Sequence, residues 1–223
     1  MNKLRIVLMS SGGVSLAPYF FSKDKNCGKN YNIACEISTD HLNTEGKLFL
    51  KQKNIPFIEV NPRKFCLAQE PPFTDSLANM PHSTREDYFY FVLKKISQFK
   101  PDLILLYNFE LVIIKPLLGR IPIINVYPAD LSIKDSITGK PKYIGNNPVA
   151  IALEDGQKWT ASTVHVVERG KGVNYGRIIS ISNGLLVPQG VTSKKHRDSM
   201  GYMCDGPVCI KALALICSGE FEF

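Results

Sequence analysis

The sequence predicts an α/β fold, a doubly wound and mostly parallel sheet flanked by helices. Short apolar runs alternate with helical patterns through the first 130 residues. The run 103–107 is continuously apolar, which is typical of a strand buried on both faces of a parallel sheet. Hydrophobic residues make up 44% of the chain and charged residues 21%, which excludes a disordered protein.

The first predicted elements are short. Residues 4–9 form a strand, and the glycine turn that follows leads into a helix. We predict further strands at 32–37 and 56–60 and a helix at 44–53 between them. The stretch 61–82 holds four prolines and is predicted to be a long loop.

The helix over 83–99 has the strongest pattern. Ser83 and Glu86 match a capping box, in which each side chain satisfies a free backbone N–H at the start of the helix. Phe89, Val92, Ile96 and Phe99 then recur at helical spacing.

The second half of the chain holds strands that lie closer together. We predict strands at 103–107, 121–126, 163–167 and 177–181, and helices at 111–118, 148–154 and 198–218. Ligands of such sheets bind at the carboxyl ends of the strands, so 10–15, 107–112 and 125–132 are the candidate positions.

Composition restricts the class of protein further. No linker divides the chain, so we predict a single domain over 1–223. No run approaches the ~20 apolar residues of a membrane span, and the six cysteines are expected to be reduced thiols of a cytoplasmic protein. Their spacing predicts no metal site. The net charge of +7 favours anionic partners, although the basic residues are scattered.

Four motifs occur in a characteristic order. They are Ser10-Ser11-Gly12-Gly13 after the first strand, the stretch 125–128, the stretch 141–156 beginning Pro-Lys-Tyr, and the pair of stretches 160–167 and 173–179. Together they resemble the folate-dependent formyltransferases over roughly residues 3–218. The resemblance implies a formyltransferase-like, Rossmann-like fold.

The resemblance also implies a reaction. The family moves a formyl group from 10-formyltetrahydrofolate to an amine through a tetrahedral oxyanion. Its catalytic set is an Asn that donates to the oxyanion, a His that moves protons, and an Asp that raises the pKa of that His. Here Asn125 matches the Asn, whereas Tyr127 stands where the His belongs and Asn174 stands where the Asp belongs.

Two further groups of residues follow from the resemblance. The segment that lines the folate pocket corresponds to Tyr107, Asn108, Phe109, Leu111 and Val112, with Tyr175 beside Asn174. The loop that holds the substrate phosphate in glycinamide ribonucleotide formyltransferases corresponds to Ser10, Ser11, Gly12, Gly13, Val14 and Ser15. Backbone N–H groups of such a loop suit an anion.

The altered catalytic set leaves three interpretations open. The protein is an atypical formyltransferase for a small amine, an enzyme that uses the cleft for different chemistry, or an inactive member that binds a ligand or a partner. We expect a small-molecule substrate, with no nucleic acid and no membrane as partners. Residues 132–140 are an insertion relative to the family, either a tolerated surface loop or part of a changed acceptor pocket, and Asp130 and Asp135 there are candidates to replace the lost base. His165 is interpreted as a packed, hydrogen-bonded residue.

Overall fold

The computed structural model describes residues 3–75, 77–145, 147–169 and 174–223. Asn146 and Val173, which belong to two of the motifs, lie outside the described residues. The chain divides into two compact units, Met1–Ile123 and Ile124–Phe223. The predicted class, an α/β fold with a mostly parallel sheet flanked by helices, is confirmed.

The first unit is built from parallel strands and the helices between them. The strands are β1 (Leu4–Ser10), β2 (Tyr31–Ser38), β3 (Phe57–Glu59) and β4 (Leu103–Tyr107), and the helices are α1 (Ala17–Lys23), α2 (Thr44–Gln52), α3 (Pro62–Leu67) and α4 (His82–Ser97). The spatial order is β3-β2-β1-β4. Because Ser10 is in register with both Ser38 and Tyr107, the carboxyl ends of these three strands lie at one edge.

The second unit begins with an antiparallel sheet. Strand β5 (Ile123–Tyr127) pairs with β7 (Thr163–Val166), and β7 pairs with β8 (Ile178–Ile181). Strands β6 (Trp159–Thr160) and β9 (Leu185–Leu186) pair with each other in a separate antiparallel sheet. The α-helices of this unit are α5 (Pro148–Glu154), α6 (Ser193–Met200) and α7 (Gly206–Ser218).

A π-helical turn, Gly201–Asp205, connects α6 to α7. The Asp205 carboxylate is fully buried there, where it accepts from the Ser162 hydroxyl and pairs with Arg197 at 2.8 Å. Within the described residues, Ser193–Ser218 is the helical segment long and apolar enough to cross a membrane by length and composition alone. Helix α7 packs against β7 and β8.

Three predictions differ from the structure: the cap of α4, whose last residue is Ser97 rather than Phe99, a helix at 111–118 and a loop at 61–82. Helix α4 begins at His82 after Pro81, and no side chain caps it, so the capping box at Ser83 and Glu86 does not form. Residues 111–118 are not helical, because Pro116 lacks the backbone N–H that a helix interior needs. The stretch 61–82 is not one loop, since the Asn61 side chain caps α3 by accepting from the Lys64 backbone N–H.

Candidate functional site

The centre of the candidate site lies on β5. Asn125 and Tyr127 are two residues apart on this strand, so their side chains leave the same face. Asn125 is directly opposite His165 on β7. The amide nitrogen Nδ2 of Asn125 lies 3.3 Å from Nε2 of His165. The register of this strand pair therefore brings the predicted Asn beside a histidine.

Asn174 completes this cluster from the turn before β8. Its φ of 64° is in the left-handed region, which Asn tolerates better than most residues. Its Oδ1 lies 3.5 Å from Nδ2 of Asn125. The structure thus brings together two of the three predicted catalytic residues, and we call Asn125, His165 and Asn174 the amide cluster.

His165 is almost fully buried, with 2% of its surface exposed. Its Nδ1 lies 3.0 Å from the Val166 carbonyl oxygen. Burial lowers the pKa of His165, although the Val166 carbonyl, the Asn174 side chain and the charge of Glu168 act to raise it. Burial has the larger effect, so it favours the neutral imidazole of His165.

Tyr127 does not join the amide cluster through its hydroxyl. The hydroxyl donates to the Gly145 carbonyl at 3.0 Å and accepts from the Gly145 N–H at 2.9 Å. The ring packs with Ala129, Leu131 and Tyr143 in a small apolar cluster. Burial raises the pKa of Tyr127 to about 12, so the hydroxyl keeps its proton at neutral pH.

Residues 132–140 form a turn that is closed by an antiparallel bridge between Lys134 and Pro141. The Asp135 carboxylate accepts hydrogen bonds from the Thr138 N–H and hydroxyl at 2.8 and 2.9 Å. The Asp135 backbone N–H donates to the Lys140 carbonyl. These hydrogen bonds hold the pKa of Asp135 below its usual value. Asp130 accepts in the same local way from the N–H and hydroxyl of Ser132. Both carboxylates are therefore engaged within their own turns.

The first unit brings the two other predicted groups together. The Ser11 N–H donates to the Asn108 carbonyl at 3.0 Å, and the Glu110 N–H donates to the Ser11 hydroxyl at 2.9 Å. Asn108 adopts a left-handed φ of 47° at this contact. Of the predicted folate-lining residues, Asn108 and Val112 are exposed, and those that are partly buried are Tyr107, Phe109, Leu111 and, in the second unit, Tyr175.

The loop 10–15 has a buried and an exposed part. Gly12 and Gly13 adopt positive φ angles, and a Cβ on Gly12 would lie 3.0 Å from the His41 carbonyl. Val14 is exposed, whereas the Ser10 hydroxyl is buried with no partner in the described chain. Ser15 is buried and donates to the Glu36 carboxylate at 2.5 Å. Burial raises the pKa of Glu36 to about 7.

Sequence reasoning missed Glu36, and it missed the contact between His165 and Asn125. Glu36 could have been noticed as a charged residue within a predicted apolar strand. The second had no local signal, because the pairing of β5 with β7 joins residues that are 40 positions apart.

The second unit holds a cavity that is separate from the predicted catalytic residues. The described chain holds no group of three or more His, Cys, Asp or Glu side chains placed to hold a metal ion. A cavity of ≈ 490 Å³ lies between β9 and α6, and its walls include Leu185, Leu186, Pro188, Val191, Lys195 and His196. None of the predicted catalytic residues lines this cavity.

Comparison with known proteins identifies the family. The model of the formyl transferase family matches residues 4–197, so the chain belongs to the formyl transferase family. No curated protein matches it in sequence.

Solved structures of enzymes with related names share the fold. The phosphoribosylglycinamide formyltransferase of Bacillus halodurans is 18% identical with a TM-score of 0.70, and 97% of each chain is covered. The glycinamide ribonucleotide transformylase 1 of Symbiobacterium toebii is 20% identical with a TM-score of 0.74, over 99% of this chain and 91% of that one. A formyltetrahydrofolate deformylase of Pseudomonas syringae pv. tomato is 16% identical with a TM-score of 0.70, over 100% of this chain and 64% of that one.

Proposed function

We propose that this protein transfers a formyl group from 10-formyltetrahydrofolate to the amine of a small acceptor, with a phosphorylated acceptor as the first candidate. The observation that supports this most directly is the approach of Asn174 to Asn125 at 3.5 Å. These two residues occupy the positions of the Asn and the Asp in the family's catalytic set. A pairing of that kind is expected where the reaction centre has been kept.

The reaction is a nucleophilic acyl transfer. The amine nitrogen attacks the formyl carbon, a tetrahedral oxyanion forms, and the bond from that carbon to the folate nitrogen breaks while a proton passes to the leaving nitrogen. Asn125, half-buried and polar, is the residue that we assign to contact the reacting groups. Tyr127 keeps its proton at neutral pH and is not a base.

The absence of a His at position 127 sets an expected rate. General acid–base catalysis contributes roughly 10²–10⁴-fold, so turnover slower by about that factor than in a family member with the His is expected. The acceptor must then arrive with its amine uncharged, and water or the acceptor itself carries the proton.

Ligand contacts are proposed for the two remaining groups of predicted site residues. Tyr107, Asn108, Phe109, Leu111 and Val112, with Tyr175, are the proposed contacts for the folate. The loop 10–15 is the proposed contact for the acceptor, because the Cβ side of Gly13 faces open space and the Ser10 hydroxyl has no partner among the described residues. We further propose a cytoplasmic protein without nucleic-acid or membrane partners.

Calorimetric titration with a stable 10-formyltetrahydrofolate analogue tests the donor. Micromolar binding is expected, and a formyl-transfer assay with a panel of small amines then follows. Asn125→Ala is expected to reduce transfer by at least ~10-fold, whereas Asn183→Ala, at an exposed position of the same unit, serves as the matched control.

The same experiment separates the two alternative functions. Binding of the analogue without transfer or formate release from 10-formyltetrahydrofolate would indicate an inactive binding protein. Formate release without any amine product would indicate different chemistry, with water as the acceptor. Absence of binding at millimolar ligand would remove the folate donor altogether.

A further inference from the structure

The proposed reaction makes no use of the cavity between β9 and α6. Its volume of ≈ 490 Å³ lies within the range of small-molecule sites in proteins. Among the described residues that line it, none belongs to the predicted catalytic set. A ligand held in this cavity would therefore be recognised by side chains that the reaction does not employ.

The backbone around the cavity is held by local hydrogen bonds. The turn between β9 and α6 is closed by the Val191 N–H, which donates to the Pro188 carbonyl at 3.2 Å. Gly190 in this turn has a φ of 71°, a left-handed value that glycine adopts readily. Thr192 caps α6, because its hydroxyl accepts from the Lys195 N–H at 3.3 Å. The walls are thus formed in the absence of a ligand, so binding needs little reorganisation.

One part of the wall is apolar. The residues that contribute to it are Leu185, Leu186, Pro188 and Val191. Leu186 is 53% exposed and is directly opposite Trp159 on β6, which is 57% exposed. Because cross-strand partners present their side chains on the same face, Trp159 extends this apolar wall. An indole ring is a surface on which a flat aromatic ligand can stack.

The charged part of the wall is a single cation. Lys195 lines the cavity, and its ammonium group makes no hydrogen bond or ion pair with any residue of the described chain. The described lining includes no Asp or Glu. His196 also lines the cavity, and burial lowers its pKa, so its ring stays neutral at neutral pH. The charge of the wall therefore complements an anion.

We propose that this cavity binds an aromatic carboxylate, with the ring on the apolar wall at Leu186 and Trp159 and the carboxylate beside the Lys195 ammonium. This site goes beyond the proposed function and does not depend on it. An uncharged ring leaves the ammonium unpaired, and an inorganic anion leaves the apolar wall in water. A ligand that combines a ring with a carboxylate satisfies both parts of the cavity.

Calorimetric titration with naphthoate and with naphthamide tests both parts of the wall. The two probes share one ring system, and at neutral pH only naphthoate is charged. We expect micromolar binding of naphthoate and an affinity at least ~3-fold weaker for naphthamide, a ratio typical of a partly exposed ion pair. Equal affinities, or no binding of naphthoate up to millimolar concentration, would overturn the proposal.

Variants locate the bound probe. Lys195→Gln is expected to remove the preference for naphthoate without changing the affinity for naphthamide. Lys194→Gln removes the same charge from the neighbouring exposed position, which does not line the cavity, and is the matched control. Leu186→Ser, at an exposed position that tolerates the change, is expected to weaken both probes. If Lys195→Gln binds naphthoate as tightly as Lys194→Gln does, the proposed site is wrong.

Competition separates this site from the reaction centre. We expect a saturating amount of the 10-formyltetrahydrofolate analogue to leave the affinity for naphthoate unchanged. Displacement of naphthoate by the analogue would show that the two molecules share one site and would contradict a separate one. If the natural protein binds no analogue, the proposed function fails, while the titrations of Lys195→Gln and Lys194→Gln still decide whether the cavity binds the carboxylate.

Discussion

One hydroxyl group, that of Tyr127, holds the loop at Gly145. Because the Tyr127 hydroxyl makes hydrogen bonds with both the N–H and the carbonyl of Gly145, Tyr127→Phe loses two hydrogen bonds at once. We expect Tyr127→Phe to lower the free energy of unfolding by about 1–3 kcal/mol. Urea denaturation monitored by circular dichroism measures this loss.

Tyr143→Phe is the matched control for that change. The Tyr143 hydroxyl donates to Asp155 at 2.6 Å from the same apolar cluster as Tyr127. Asp155 keeps Lys142 at 2.7 Å when the hydroxyl is lost, so a loss of about 1 kcal/mol or less is expected. A similar loss of unfolding free energy in both variants would contradict a larger contribution from the hydrogen bonds to Gly145.

A second prediction at the residue scale concerns Asn174. Asn174→Asp places a carboxylate beside His165, and a neighbouring negative charge favours the imidazolium. We expect the pKa of His165 to rise relative to the natural protein, and an NMR titration of the ring measures it. Asn183→Asp adds the same charge at an exposed position and is the control. An unchanged titration in Asn174→Asp would show that the turn does not hold position 174 against the ring.

At the scale of elements, the turn before β8 depends on one glycine. A Cβ on Gly176 would lie 1.7 Å from the Val166 carbonyl oxygen, a backbone atom that cannot move without disturbing β7. We expect Gly176→Ala to cost more than ~2 kcal/mol of stability, measured by urea denaturation. Gly184→Ala is the control, because its nearest neighbour is a Trp159 ring atom at an ordinary 3.5 Å. A Gly176→Ala protein as stable as the Gly184→Ala protein would contradict the close approach.

Elements with strong local patterns could be predicted from the sequence. Phe89, Val92 and Ile96 recur at helical spacing, and all three are buried in α4. The predicted start of that helix was wrong because the Pro81 ring fixes the chain two residues before Ser83, so the helix begins at His82, too early for the predicted cap. Helix termini depend on such single residues, whereas a buried stripe depends on many.

The candidate site was predictable in part. Asn125 and Asn174 could be selected because each lies in a short motif that keeps its spacing. The hydrogen bonds of Tyr127 could not be predicted, because they depend on the position in space of Gly145, which is 18 residues later in the chain. The contact of His165 depends on strand register, and a shift of one residue would have turned its side chain to the other face.

At the scale of the whole molecule, one buried carboxylate links stability to pH. Glu36 lies on β2 with 1% of its surface exposed and accepts a hydrogen bond from the Ser15 hydroxyl at 2.5 Å. Burial raises its pKa from the usual 4.5 to about 7 in the folded chain. Between these two values the unfolded chain loses the proton and the folded chain keeps it. Stability is therefore fully present below pH 4.5 and falls as the pH rises towards 7.

Glu36→Gln removes this dependence, because a glutamine stays neutral while its oxygen still accepts from Ser15. We expect the free energy of unfolding of the variant, relative to the natural protein, to be higher at pH 8 than at pH 4 by on the order of 3 kcal/mol. Urea denaturation across this pH range measures the difference. Glu59→Gln, which removes the same charge from an exposed position of β3, controls for the change in net charge. A constant difference between Glu36→Gln and the natural protein from pH 4 to pH 8 would show that Glu36 keeps the same protonation state in the folded and unfolded chain, and the buried carboxylate would then have no part in the pH dependence of the fold.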